Sequence, residues 1–138
     1  MSAQDTVKKA IDAVNRHDAS AFAALYDAEA VALDPQYAEP LQGREAIRKD
    51  IEDFFLAFPD LQVKASNILA SGDTIAFEVE MSGTHKGPII IPGGIILATD
   101  QRMAMRGGRF IRLNEQNLIT ECRRYFDIAG LMQQLGLM

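Results

Sequence analysis

The spacing of apolar residues changes once along this chain, near Pro59, and that change constrains the fold more than any other feature. Before Pro59, apolar residues recur every three or four positions, which is typical of amphipathic helices, and after it they alternate, which is typical of strands. Helices followed by strands favour a segregated α+β fold. With 138 residues, 48% of them hydrophobic, the chain suits one domain over residues 1–138.

The first part of the chain predicts three helices and one short strand. Residues 4–17 and 43–59 carry the helical spacing, and a short helix is expected after Asp18, whose carboxylate suits an N-cap. A brief apolar run at residues 30–33 predicts a strand between the second and third helices.

The second part predicts a meander of five strands and a last helix. The strands are expected over residues 61–69, 74–86, 94–106, 109–114 and 118–127, and the helix over residues 128–135. One of the turns between them is expected at Gly107-Gly108. Short connections favour antiparallel neighbours. We therefore predict a strongly curved, mostly antiparallel sheet with helices packed in its concavity, a cone-shaped α+β barrel with a pocket between the layers.

Charge is distributed unevenly along the chain. Residues 1–80 carry 7 basic and 15 acidic side chains, a net charge of −8, whereas residues 81–138 carry 7 basic and 4 acidic ones, a net charge of +3. Nucleic-acid binding is not expected, because phosphate neutralisation needs several clustered cations and the chain has no basic cluster larger than a pair such as Arg123 and Arg124. A small anion or enolate near the arginines of the second half fits this distribution.

Cysteine content and hydropathy bear on the compartment. Cys122 is the only cysteine, which excludes an intramolecular disulfide and a cysteine-cluster metal site and suits a reducing environment. Residues 1–9 carry charges almost from the start, and proline and glycine interrupt the longest apolar stretch, residues 89–97. We expect a cytoplasmic protein that does not bind a membrane.

Several segments together resemble one known superfamily. The first strand, the loop and the start of the third helix resemble the nuclear-transport-factor-like cone fold that includes ketosteroid isomerase, and the later segments resemble its SnoaL-like polyketide cyclase branch. The matching segments are residues 30–35, 39–48, 58–61, 82–88, 97–99 and 124–137. The resemblance implies a cofactor-independent enzyme that acts on a small apolar carbonyl compound by general acid/base chemistry, as a cyclase or an isomerase.

Asp127 closes the last predicted strand. In the cyclases that the chain resembles, the aspartate at this position is the acid/base of ring closure. A carboxyl group enclosed by Tyr125, Phe126 and Leu131 would have its charged form disfavoured and its pKa raised. An aspartate between a strand and a helix is also an ordinary N-cap. The resemblance makes Asp127 the expected acid/base, and Asp34 and His85 are expected to assist it.

Asp34 matches the isomerase position that takes a proton from carbon beside a carbonyl. The isomerase's two enolate-stabilising donors are replaced here by Ala10 and Arg109, so steroid isomerisation is not expected. An aspartate before a proline, here Pro35, is also a common turn former.

His85 is in phase with the apolar positions of its strand, so its side chain is predicted to face the interior. There it could donate to a substrate carbonyl or orient a carboxylate, or it could be a hydrogen-bonded wall residue without a catalytic role. Related aromatic cyclases place a histidine on the preceding strand, where this chain has Arg109 and Arg112.

Arginines and aromatic residues are the candidates for substrate binding, since a guanidinium can hold a carboxylate or enolate through two donors. The predicted set comprises Arg109, Arg123, Tyr26, Phe54, Phe55 and Tyr125. On the last strand the apolar count favours burial of the face with Cys122, Arg124 and Phe126, which places Asp127 on the opposite face. Helices could cover one face and a second subunit the other, because this fold is commonly dimeric through its sheet.

Two further functions remain open. The chain could be a non-catalytic module that binds a small apolar ligand, or a dimeric scaffold. It could also be an epoxide hydrolase, since such enzymes on this scaffold hold water with an Asp-Arg-Asp trio. Asp100, an arginine and Asp127 would then form that trio. No metal site and no cofactor motif is expected.

Overall fold

The computed structural model describes residues 2–138, apart from the side chain of Ala3, and places the helices as predicted. Their bounds are α1 (Ala3–Asn15), α2 (Ala19–Ala23), α3 (Arg44–Ala57) and α4 (Ile128–Gln134). Ser2 and Asp5 form a capping box on α1, and the Asp18 carboxylate accepts from the Ala21 amide at 2.9 Å to cap α2. Gly43 precedes α3 at a φ of 89°, which glycine adopts readily.

Six strands form the main sheet, in the order β2-β1-β8-β7-β4-β3. Their bounds are β1 (Tyr26–Leu33), β2 (Leu41–Gln42), β3 (Gln62–Ser71), β4 (Thr74–Thr84), β7 (Arg102–Leu113) and β8 (Ile119–Phe126). All neighbours are antiparallel except β1 and β8, which run parallel. A separate hairpin consists of β5 (Ile89–Ile91) and β6 (Gly94–Ile96). The predicted α+β class with a mostly antiparallel sheet is confirmed.

The turn predicted at Gly107-Gly108 is wrong, because both glycines lie inside β7. Gly107 lies so close to β8 that a Cβ atom on it would be 2.5 Å from the carbonyl oxygen of Tyr125. The glycine therefore marks a close approach of two backbones. The strand predicted over residues 94–106 is likewise wrong in its extent, since residues 97–101 connect the hairpin to β7.

The core lies between the helices and one face of the sheet, which we call the inner face. Ile75, Phe77 and Val79 alternate along β4 and are buried there, as the period of two predicts. Val7 of α1 and Ile47 of α3 pack into the same core. None of the described helices is both long and apolar enough to cross a membrane.

Candidate active site

A cavity of about 190 Å³ opens between the inner face of the sheet and helices α1, α3 and α4. Most of its wall is apolar, with contributions from the helices, the sheet and the β5–β6 hairpin; these include Ile11, Ile51, Phe54, Val79, Ile89 and Leu131. Charged side chains lie in the same wall, so the cavity combines an apolar part with a polar end. This combination is typical of a small-molecule site.

The polar end is organised around Arg124, which projects inward from β8. Its Nη1 atom lies 2.7 Å from Oδ2 of Asp50 and 3.2 Å from Oδ2 of Asp34. The side chain of Arg124 is 11% exposed, that of Asp50 10% and that of Asp34 3%. Burial by itself would lower the pKa of Arg124, but the charge of Asp50 raises that pKa well above its ordinary value. Arg124 is therefore a permanent cation between two carboxylates.

Asp34 occupies its place because β1 ends there. Its Oδ1 atom accepts from the Gln36 amide at 2.9 Å, and its backbone carbonyl accepts from the Tyr37 amide at 3.1 Å. The Asp-Pro sequence thus forms the turn that its composition predicts and also directs the second carboxylate oxygen at Arg124. Turn formation and a place in the site, which were alternatives for Asp34, occur together.

Tyr37 joins the cluster from the loop after β1. Its hydroxyl donates to Oδ1 of Asp50 at 2.6 Å. Burial, followed by this hydrogen bond, raises the pKa of Tyr37 above its ordinary value, so the phenol stays protonated. Asp50 is consequently held through both oxygens by donors.

Arg109 is the second arginine in the cavity wall. Burial, and then the nearby charge of Arg124, lowers the pKa of Arg109. Tyr26 and Cys122 lie beside the two arginines, and burial raises the pKa of Tyr26 well above its ordinary value. The polar end thus contains two cations, Arg109 and Arg124, and the two carboxylates that contact Arg124. Asp53 also lines the cavity and pairs with Lys49.

Four of the predicted site residues line the cavity, and the others do not. Asp34, Arg109, Tyr26 and Phe54 line it. Asp127 is exposed, and its Oδ1 atom accepts from the Gly130 amide at 2.9 Å, so it is the N-cap of α4. The glycine permits this close cap, because a Cβ atom there would lie 2.5 Å from Oδ2 of Asp127. The prediction that Asp127 lies in the cavity is therefore wrong.

His85 faces the interior, as its phase predicts, but it does not line the cavity. It is fully buried against Phe58, and its Nδ1 atom accepts from the Thr99 amide at 3.2 Å. An accepting Nδ1 requires the neutral ring with the proton on Nε2. Burial lowers the pKa of His85, which favours the same neutral form. The residue fastens the connection before β7 to the end of β4.

Arg123 and Tyr125 lie on the outer face of β8, so their expected places in the pocket are also corrected. Arg123 pairs with Glu121 at 2.9 Å, and the Tyr125 ring packs edge-on against Phe110 with centroids 6.0 Å apart. The burial of the opposite face, with Cys122 and Arg124, is as the apolar count predicts.

Phe55 and Asp100 also lie outside the cavity wall. The Phe55 ring stacks on His17 at 4.5 Å, and Asp100 pairs with Lys86 at 3.0 Å on the surface. Within residues 2–138, neither Asp100 nor Asp127 has an arginine within salt-bridge distance, so the trio expected from these two residues does not form.

Asp50, Arg124 and Tyr37 are the site residues that the sequence analysis missed. Two of them do leave a signal. Asp50 lies three residues after Ile47 and four before Phe54, on the apolar stripe of α3, and Arg124 is in phase with the apolar face of β8. A charged residue in a buried stripe needs a partner of opposite charge, and Asp50 and Arg124 are partners of each other. Across the described residues, no group of three or more His, Cys, Asp or Glu side chains is placed to hold a metal ion.

A six-stranded sheet packed over helices, with a largely apolar cavity that ends in buried charges, is the arrangement of the cone fold. The chain belongs to the SnoaL-like polyketide cyclase family, whose model matches residues 4–135. The family resemblance and the cone fold predicted from the sequence are thereby confirmed.

Solved structures of several relatives are similar over nearly the whole chain. IdmH of Streptomyces antibioticus, a candidate polyketide cyclase, is 24% identical with a TM-score of 0.80, over 99% of each chain. A candidate SnoaL-like polyketide cyclase of Jannaschia is 16% identical with a TM-score of 0.85, over 99% of this chain and 92% of that one. SalBIII, an epoxide hydrolase/cyclase-like enzyme in pyran ring formation of the polyether salinomycin, is 18% identical with a TM-score of 0.75, over 93% and 92%. No similar sequence is found among curated proteins.

Proposed function

We propose that this chain is a cyclase-type enzyme that transfers protons on an apolar carbonyl compound bound in the cavity, without a cofactor, with Asp34 as acid/base. The observation that carries the proposal is the pair of carboxylates, Asp34 and Asp50, held by Arg124 at the polar end of an apolar cavity. Carboxylates at such a position can reach a bound carbonyl compound while the apolar wall excludes water.

Asp34 is better suited than Asp50 to take a proton. Asp50 is held by the shorter contact to Arg124, at 2.7 Å, and by the Tyr37 hydroxyl, and both bonds stabilise its anion. The contact between Asp34 and Arg124 is longer, at 3.2 Å, and the other Asp34 bond is to a neutral amide. Asp34 is therefore the more weakly held of the two carboxylates, and we assign the acid/base role to it.

The proposed reaction is a proton transfer followed by ring closure. Asp34 removes a proton from carbon next to a carbonyl, and the electrons of that C–H bond form an enolate. The enolate carbon attacks a second carbonyl of the same substrate, which forms the new C–C bond and an alkoxide. The proton on Asp34 then passes to the alkoxide. Arg109 lies in the same wall and supports the developing oxyanion.

The acid/base role expected for Asp127 thus passes to Asp34. An exposed N-cap has no access to the cavity, and an acid/base must come within hydrogen-bond reach of the proton it moves. His85 holds a connecting segment in place and takes no part in the proton transfer.

Isotope exchange of α-hydrogens tests the proposal before any natural substrate is known. A panel of apolar diketones is incubated with the protein in heavy water, and exchange and ring closure are followed by NMR. Asp34→Asn is expected to slow exchange by roughly 10²- to 10⁴-fold, while Asp127→Asn, the matched control, exchanges at the rate of the unchanged chain. Full activity of Asp34→Asn would overturn the assignment. Absence of exchange with every diketone that binds would favour a non-catalytic binding module.

Epoxide opening is a second candidate, favoured by the Asp34-Arg124-Asp50 arrangement. Two carboxylates around one arginine are the trio expected of epoxide hydrolases on this scaffold, although other residues supply it here. One carboxylate would take a proton from water or an internal hydroxyl as that oxygen attacks an epoxide carbon. The new C–O bond forms while the epoxide C–O bond breaks, and the same proton then passes from the carboxylate to the resulting alkoxide. The similarity to SalBIII, an epoxide hydrolase/cyclase-like enzyme, supports testing epoxy alcohols in parallel with the diketones.

We also propose a homodimer through the outer face of the sheet. Leu69 lies beside Ala76, and Ala76 beside Phe110, in one row across three strands. Leu69 is 70% and Phe110 47% exposed, and the half-exposed Tyr125 extends this apolar strip. An exposed apolar strip on a sheet supports association with a second copy.

A further inference from the structure

Two arginines face each other across the strands at the polar end of the cavity. Arg109 of β7 and Arg124 of β8 are direct partners in the antiparallel register. Like charges at directly opposed positions destabilise a sheet unless anions lie nearby. Both arginines are therefore stabilised by nearby anions, but the carboxylates of the described chain contact only one of them.

Arg124 receives both carboxylates, and Arg109 receives none. Asp34 and Asp50 contact Nη1 of Arg124. Within residues 2–138, no carboxylate oxygen lies within 4.0 Å of the Arg109 guanidinium, and its one hydrogen bond runs from Nη1 to the Gly108 carbonyl at 3.1 Å. A guanidinium has five N–H donors, so four remain for other partners.

Arg109 lies in the cavity wall, where a bound ligand can reach it. Gly107 precedes it on the same face and contributes no side chain; a Cβ atom there would lie 3.2 Å from Nη1 of Arg109. Phe77 of β4 is its partner on the other side and lines the cavity. The guanidinium therefore lies over Gly107 and beside the strand position of Phe77, and both Arg109 and Phe77 line the cavity.

Burial makes this unpaired cation costly. Its surroundings lower the pKa of Arg109, first by removing water and then through the charge of Arg124. A ligand anion would offset that cost and form charge-assisted hydrogen bonds with the free donors. Repulsion from Asp34 and Asp50 is reduced, because Arg124 compensates one of their two negative charges at contact distance.

We propose that Arg109 binds a carboxylate that the substrate carries before any reaction begins, so that the cavity selects apolar monocarboxylates. The planar guanidinium matches a carboxylate through two parallel hydrogen bonds, and the hydrocarbon part lies along the apolar wall that includes Ile89 and Ile96. This inference rests on the proposed function for the location of the reaction. It adds that Arg109 binds a carboxylate already in the ground state. With one donor on the Gly108 carbonyl and two on the carboxylate, two of its five donors remain for the developing oxyanion.

Calorimetric binding of matched eight-carbon probes tests the inference without turnover. Octanoate, octanol and octylamine share one chain and differ in the head group. The unchanged protein is expected to bind octanoate at least about tenfold more tightly than octanol, and octylamine no better than octanol. Arg109→Gln is expected to remove the preference for octanoate while octanol binding persists.

Two variants keep the test specific. Arg123→Gln removes an arginine from the outer face of the neighbouring strand and should leave all three affinities unchanged. Arg109→Lys keeps the charge but not the fork, and should retain part of the preference. Equal binding of octanoate and octanol by the unchanged protein would overturn the inference, as would an undiminished octanoate preference in Arg109→Gln.

Failure of this inference and failure of the proposed function are distinguishable. Asp34→Asn should still prefer octanoate, because Asp34 does not contact Arg109, whereas its isotope exchange should be slowed. If the unchanged chain binds octanoate but exchanges no α-hydrogens of any diketone, the proposed catalysis is refuted and the carboxylate site is not. Exchange with neutral diketones that carboxylates do not inhibit would refute the carboxylate site alone.

Discussion

Arg123 and Arg124 are neighbours in the sequence, yet they lie in opposite environments. The side chain of Arg124 is 11% exposed and contacts two carboxylates, one just after β1 and one on α3, whereas that of Arg123 is 49% exposed and pairs with Glu121 on its own strand. The side that a residue takes on β8 decides whether its charge is a structural requirement or a solvated surface group. The inner face makes each polar residue depend on a partner, and the outer face does not.

Replacement of the two arginines gives the largest expected contrast. Arg124→Met leaves Asp34 and Asp50 buried without their cation and should lower the free energy of unfolding by about 3–5 kcal/mol. Arg123→Met should leave it unchanged, because water solvates the remaining Glu121. Urea denaturation followed by circular dichroism measures both values, and similar losses in the two variants would contradict the contrast between the faces.

Stability against pH tests the inner face at His85. Burial lowers the pKa of His85, so in acid the unfolded chain binds a proton that the folded chain resists. His85 does not destabilise the fold above the unfolded pKa of about 6.5. As pH decreases below that value, the free energy of unfolding falls by at most about 1.4 kcal/mol per pH unit.

Denaturation between pH 7.5 and 5.5 measures this slope. His85→Gln should flatten it, and His17→Gln, which leaves the buried ring in place, should not. An unchanged slope in His85→Gln would show that another group is responsible.

Asp127 marks the exposed end of β8 and should contribute moderately to stability. Asp127→Ala removes the N-cap of α4 and is expected to cost about 1 kcal/mol, with Asp127→Asn costing less because an amide oxygen also accepts from the Gly130 amide. Thermal unfolding distinguishes the two variants. A loss as large as that of Arg124→Met would place Asp127 in the buried network after all.

Phe110 gives the smallest expected effect on the subunit itself. Phe110→Asp introduces a charge on the outer face, where the ring is 47% exposed, and should change the subunit's free energy of unfolding by less than about 0.5 kcal/mol. The same change should dissociate the proposed dimer, which analytical ultracentrifugation measures. A monomeric unchanged chain would contradict the dimer proposal.

Periodicity predicted the elements well because it reflects which side of each helix or strand is buried. The helices over residues 3–15 and 44–57 and the alternation along β4 follow from the apolar spacing. The glycines of β7 were misread as a turn, because a close approach to the Tyr125 carbonyl on another strand has no local signature. The parallel pairing of β1 with β8 has none either, since short connections inform only on consecutive strands.

The site was predicted less completely, for a related reason. Asp34 was found because it matches the isomerase position in the resemblance and because the Asp-Pro sequence predicts the end of a strand there. Asp50 and Arg124 are each unfavourable in a buried stripe, and they become favourable only as a pair whose members are 74 residues apart. The exposure of Asp127 follows from the phase of β8, which the residue pattern did predict, whereas the resemblance to cyclases favoured the opposite placement.

The parallel contact between β1 and β8 also affects the order of events in folding. β1 comes near the start of the chain and β8 near its end, and between them they join Asp34 to Arg124, 90 residues apart. The edge of β1 that faces β8 stays unpaired until β8 docks. Because the two strands are far apart in the sequence, this contact has a large loop-closure cost and forms late and slowly. A partly folded chain therefore has no charge cluster. Capacity for chemistry should appear in a single final step, with the docking of β8.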